Sequence, residues 1–144
     1  MSETTVPAPS AGAVTGGVKI LLRLEGLTLF AGMVLLYWIW GGSWWVFVIL
    51  FLAPDLSFIA YLSDAKTGAI IYNAAHSYMA PVALLTTGFA MGEPLILSLA
   101  MIWLAHIGID RALGYGLKYQ AGFGFTHLGR IGKAKTRELF EPSP

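Results

Sequence analysis

Four apolar stretches of about twenty residues each, at roughly 20–40, 43–62, 68–91 and 94–117, leave this 144-residue chain few ways to fold. About 20 mainly apolar residues are what a helix needs to cross a hydrocarbon layer of about 30 Å. The links between the stretches are short: Gly41-Gly42, the residues 63–67, and Gly92-Glu93. Links of that length force consecutive helices to lie side by side and antiparallel. Only 12% of the residues are charged and 56% are hydrophobic, too few charges to cover a water-soluble surface. The expected fold class is therefore all-α: an integral membrane four-helix up-down bundle. Residues 1–19 read as a disordered N-terminal tail, 20–117 as the transmembrane domain, and 118–144 as a basic, Gly-containing cytoplasmic tail. The start is not expected to be a secretory signal, because the apolar stretch after its basic residues is too long.

Direction follows from Lys and Arg. Lys19, Arg23, Lys66, Lys118, Arg130, Lys133, Lys135 and Arg137 fall at the tails or the second link, Arg23 within a turn of the first tail, and the first and third links have none. Both termini are thus expected in the cytoplasm. Trp40, Trp44 and Trp45 mark the opposite interface, where indoles favour the headgroup level. The segment 118–144 holds five basic and two acidic residues, which suits anionic headgroups. Its glycines (122, 124, 129 and 132) match no P-loop or dinucleotide fingerprint, and a flexible basic tail is favoured over a phosphate cradle. Nothing in the pattern suggests nucleic acid as a partner. With no cysteine, disulfide redox chemistry, thiolate metal sites and iron–sulfur clusters are excluded.

Deeper inside the apolar stretches lie groups that lipid should exclude: Glu25, Asp55, His76, His106, Asp110 and Arg111. A charge at mid-membrane costs about 2.5–3.5 kcal/mol on insertion scales, so such groups face an interior and have partners. Counted from the cytoplasmic end of each helix, Glu25, Asp55, His76, His106 and Asp110 fall within a slab of roughly 10 Å. His106 and Asp110 are spaced i, i+4 and share a helix face, as do Tyr72 and His76. Pro54 loosens the helix just before Asp55. Gly26, Ala74, Ala75, Gly108 and Gly114 permit close helix approach. Arg111 is expected to point away and snorkel to the headgroups, or to pair with Asp55 or Glu25.

Two imidazoles with carboxylates are good ligands for a divalent transition metal such as Zn, Fe or Mn. The metal set is Asp55, His76, His106 and Asp110, with Glu25 and Asp110 as the catalytic candidates. This predicts a metal-dependent hydrolase or oxidoreductase on a lipid-like substrate at the cytoplasmic leaflet. A second possibility uses His76 and His106 as axial ligands of a b-type haem in an electron carrier. A third makes the cluster a structural polar network in a membrane scaffold. In a fourth it is a relay for proton-coupled transport, which needs a homo-oligomer to complete a pathway.

The segments 22–26 (LRLEG), 41–45 (GGSWW), 51–57 (FLAPDLS), 72–76 (YNAAH), 103–119 (WLAHIGIDRALGYGLKY) and 126–132 (THLGRIG) carry a resemblance. The chain is similar to a family of small bacterial membrane proteins designated domain of unknown function 4260. The resemblance implies a multi-pass protein of the bacterial inner membrane and supplies no activity. It draws His127 into view, either as a further ligand or headgroup contact from a segment folded onto the cytoplasmic mouth, or as a solvated tail residue.

Overall fold

A computed structural model describes residues 12–140. The chain runs α1 (Gly16–Trp40), α2 (Trp44–Phe51), a 3-10 helix (Ala53–Leu62), α3 (Ala65–Ala75), α4 (Met79–Met91) and α5 (Pro94–Leu113). A short hairpin, β1 (Phe125–Thr126) and β2 (Gly129–Arg130), and α6 (Lys133–Phe140) follow. Three helical stretches, Gly16–Trp40, Trp44–Leu62 and Pro94–Leu113, are long and apolar enough to cross a membrane.

α5 is the axis of the molecule and packs on α1, α4 and α2, while α3 packs on the 3-10 helix. Its buried residues cover all sides, from Leu97 through Met101, Ile102, His106 and Ile107 to Arg111. A helix with apolar residues all round is one that neighbours enclose. The α1–α5 crossing depends on two glycines. A Cβ on Gly26 would lie 2.7 Å from the Gly108 carbonyl, and one on Gly108 would lie 2.8 Å from the Gly26 carbonyl. The backbones therefore touch, as small-residue crossings allow. Towards the Trp-rich end, Tyr37, Leu97, Met101 and Ile102 form an apolar cluster with Met33, Phe47, Leu50, Phe51 and Leu85 around it.

The second and third apolar stretches are not continuous α-helices. α2 stops at Phe51, and the 3-10 turns begin before Pro54, with the Asp55 N–H bonding back to the Leu52 carbonyl at 3.1 Å. Proline removes an N–H and clashes with the preceding turn, so a tighter winding takes over. The helix expected over 68–91 is broken at His76, which ends α3 with φ −111° and ψ 14°. Pro81 in the first turn of α4 has no N–H to carry the α3 ladder through. Asp64 caps α3, accepting the Thr67 N–H at 2.8 Å.

Bare carbonyls at such a break are costly away from water. Two side chains of α5 meet them. Trp103 donates its indole N–H to the Ala75 carbonyl at 2.7 Å, and Arg111 donates Nη2–H to the His76 carbonyl at 2.7 Å.

Both ends of the domain differ from expectation. α1 begins at Gly16 rather than near residue 20, and α5 ends at Leu113, where Gly114 turns the chain at φ 95°. Beyond it, residues 115–136 fold back on the helices instead of forming a loose tail: Leu128 and Thr126 are buried. Asn73 clamps Lys118, accepting its N–H at 2.7 Å and donating to its carbonyl at 2.9 Å. Val14 N–H donates to the His127 carbonyl at 2.8 Å, tying the segment before α1 to the hairpin. Of the tail expected over 1–19, residues 1–11 lie outside the described residues.

Candidate metal centre

The two interruptions and one continuous helix deliver four side chains to one point. Asp55 stands in the first turn of the 3-10 helix, His76 at the end of α3, and His106 and Asp110 one turn apart on α5. His76 Nε2 lies 3.2 Å from His106 Nε2. Each of these nitrogens is 3.4 Å from Asp55 Oδ1 and 3.5 Å from Asp110 Oδ2. One ligand atom from each residue falls within 4.8 Å of all the others.

These separations carry information. A charge-assisted N–H···O bond is about 2.7–2.9 Å long, so the nitrogens and oxygens are not paired off directly. A tetrahedral ion with bonds of about 2.0–2.1 Å holds its ligands about 3.3–3.4 Å apart along each edge. Five edges of this figure, at 3.2–3.5 Å, match that spacing. The sixth separation, between the two carboxylate oxygens, is bounded by the 4.8 Å span of the group, and four atoms so gathered could hold a small divalent ion.

The neighbours fix the ligands. His76 Nδ1–H donates to the Tyr72 carbonyl at 3.0 Å, which leaves the Nε2 lone pair facing the centre. The Tyr72 ring stacks on His76 with centroids 3.8 Å apart, and Phe58 stacks on Tyr72. Phe51 meets His106 edge-on at 5.3 Å. Arg111, which also donates to the Tyr115 carbonyl at 2.8 Å, holds the backbone of His76 in place. It is buried rather than snorkelling, and among the described residues it forms no ion pair with Asp55 or Glu25. α5 is enclosed on every side, so an arginine near its end has carbonyls within reach before headgroups.

The imidazoles are the closed side of the site and the carboxylates the open side. His76 and His106 are 0% and 2% exposed, against 32% and 15% for the side chains of Asp55 and Asp110. Both carboxylates line a cleft of about 420 Å³ with Phe58, Tyr72, Tyr115, Lys118, Phe123, Ile131 and Gly132. Lys118 Nζ sits 3.8 Å from the centroid of Phe123 and 5.0 Å from that of Tyr72. Burial pushes its ammonium down to about 8, while the two carboxylates pull the other way.

Glu25 matches the others in depth but is exposed on α1 and supplies no atom to the group. Gly26 is the residue that faces α5, and its neighbour points about 100° away around a helix of 3.6 residues per turn. His127 joins the fold but not the group. Its Nδ1 accepts the Leu117 N–H at 2.8 Å, and burial followed by the charge of Arg111 keeps its pKa below the usual value. The haem alternative fails on distance. Axial imidazoles face each other across the macrocycle, and two metal–nitrogen bonds end to end span about 4 Å. The 3.2 Å between the nitrogens leaves no such plane. Spacing does not reveal Lys118 or Trp103 as residues of the site, because their partners lie 28 or more residues away. The one signal for Lys118 was its place directly after the fourth apolar stretch.

No curated protein and no solved structure matches the chain. A family model does match, over residues 19–131, a span that holds all four converging side chains. On that match the chain belongs to the family described as Domain of unknown function (DUF4260).

Proposed function

We propose that this chain is a multi-pass protein of the bacterial inner membrane, a four-helix up-down bundle with both termini cytoplasmic, whose purpose is a buried metal centre. α3 and α4 together make the third crossing. The four ligands would be His76, His106, Asp55 and Asp110, holding zinc, iron or manganese. The observation that carries this is the set of five near-equal separations of 3.2–3.5 Å among four atoms from three elements.

An ion bound there supplies Lewis acidity, polarising a phosphoryl or acyl oxygen or activating water near neutral pH. The chain does the rest. His76 and His106 fix the ion from the closed side. Asp55 and Asp110 present it to the cleft, where Phe58, Phe123 and Tyr115 give apolar walls suited to a lipid-like molecule. A metal-dependent hydrolase or oxidoreductase acting on such a molecule is the function this arrangement serves. Lys19, Arg23, Arg130 and Lys135 line a neighbouring cavity and suit anionic headgroups.

Elemental analysis of the purified chain is the test. About one transition-metal ion per chain is expected, falling at least tenfold in His106→Ala and in Asp110→Asn. Metal-free wild type from a metal-replete preparation would sink the proposal. Topology is checked separately, because the chain has no cysteine of its own. Ser63→Cys should be labelled from the cytoplasmic side and Glu93→Cys from the other.

A further inference from the structure

Lys118 is 4% exposed and follows the last long helix. Its backbone is held at both ends by Asn73, so the side chain has one place to go. That place is the wall of the cleft, between the faces of Tyr72 and Phe123. No carboxylate among the described residues lies within ion-pair distance of its Nζ, and no side-chain acceptor bonds to it. The ammonium therefore meets two ring faces on the protein side and opens onto the cleft, where a ligand's anion can replace water as its partner.

Charge points the same way. The two carboxylates of the group, Asp55 and Asp110, are offset by Arg111 and Lys118, which makes the surroundings neutral in sum. Arg111 is bonded to carbonyls and not to carboxylates, so its charge stays in the balance. A divalent ion then leaves the site two positive charges in excess, in a low-dielectric place where excess charge is costly. A second cavity, lined by Lys19, Arg23, Arg130 and Lys135, shares Tyr115, Ile131 and Gly132 with the cleft. The surroundings of the cleft are thus basic as well.

We infer that the cleft beside the His76–His106–Asp55–Asp110 group is a binding site for a phosphoryl dianion carried on an apolar body, with Lys118, on the wall of the same cleft, as its second anchor. The inference rests on the metal reading for the first anchor and on Lys118 and the aromatic walls for the rest. A volume of about 420 Å³ is within the range of small-molecule sites and leaves room beyond a phosphate for part of a chain or ring. Phe58, Phe123 and Tyr115 line that room. Either the headgroup of a phosphorylated lipid or a free phosphate would satisfy the polar end, and only the lipid would use the walls.

Calorimetric titration of the zinc-loaded, full-length chain in a nonionic detergent tests this with three probes: hexyl phosphate, inorganic phosphate and hexanol. Saturable binding of hexyl phosphate is expected, with inorganic phosphate at least tenfold weaker and hexanol not saturating. Equal affinity for the two phosphates supports the oxyanion site and assigns it to free phosphate. Hexanol binding as well as hexyl phosphate overturns the inference in the wild type alone, whatever the variants do. Lys118→Met should weaken hexyl phosphate at least tenfold with bound zinc unchanged, and Lys118→Arg should restore most of the affinity. Wild-type affinity in Lys118→Met also overturns it. Zinc stoichiometry keeps the two readings apart. A metal-free chain that still binds hexyl phosphate through Lys118 removes the metal and keeps the anion site, whereas a metal-loaded chain blind to hexyl phosphate does the reverse.

Discussion

α1 and α5 run unbroken for 25 and 20 residues and meet backbone to backbone, whereas no helix between them exceeds 13 residues. The first pair is held by close packing around Gly26 and Gly108. The intervening elements are held by donors from outside: Trp103 and Arg111 of α5 close the carbonyls left at the end of α3. Continuous helix presents His106 and Asp110 through simple i, i+4 spacing. Interrupted helix presents Asp55 and His76, residues whose backbone would otherwise be fully engaged. A metal site here would need both, because a lone helix face offers two ligands and an ion such as zinc takes four.

Filling the glycine crossing should do the greatest damage. Gly108→Val pushes a side chain into the Phe30 backbone, with Cβ alone 2.7 Å from its N, and is expected to cost about 3 kcal/mol. Thermal unfolding in detergent measures it, and a Gly108→Val chain as stable as wild type would show that the backbones do not touch. Arg111→Met comes next. It leaves two carbonyls without their donors, at about 1–3 kcal/mol, and frees His76. Metal affinity should fall about 10–100-fold, as for other supports of a ligand; an unchanged affinity would separate the arginine from the centre. Trp103→Phe removes one N–H to the Ala75 carbonyl and should cost about 1–2 kcal/mol with metal content little altered. Loss of the metal in that variant would mean the whole break, and not Arg111 alone, sets His76.

The smallest effect is one of pH. His127 is held below its ordinary value of 6.5 by burial and by Arg111, and it must be neutral at Nδ1 to accept the Leu117 N–H. Its contribution is therefore complete above pH 6.5 and declines as pH falls, since the unfolded chain takes up the proton more readily. His127→Gln, which accepts the same N–H without titrating, should flatten that part of the stability profile. An identical profile in wild type and variant would place the loss elsewhere.

The continuous part of this comparison was largely legible in the sequence. Hydropathy marks three of the long helical stretches, and the depth of Asp55, His76, His106 and Asp110 put all four in one layer before any contact was known. Depth alone admitted Glu25 wrongly, because depth says nothing of rotation. The small residue beside it, Gly26, was the better indicator of which face of α1 meets α5. The interrupted part was not legible. A break at His76 is tolerable because Trp103 and Arg111 lie across from it, and the Asn73–Lys118 clamp joins residues 45 apart. Local spacing carries neither fact. The sequence leaves Arg111 either at the headgroups or paired with Asp55 or Glu25, and here the enclosure of α5 decides for the backbone carbonyls.

The break between α3 and α4 also bears on how such a chain is made. At 11 and 13 residues, the two pieces are about 16 and 20 Å long, each well short of a bilayer. Inserted in order of synthesis, they would enter lipid with the Ala75 and His76 carbonyls bare, and would stay so until α5 brought Trp103 and Arg111. In the proposed topology, the third crossing would be unfinished when its own residues have left the ribosome. The last long helix is thus the one that supplies the donors its predecessors lack.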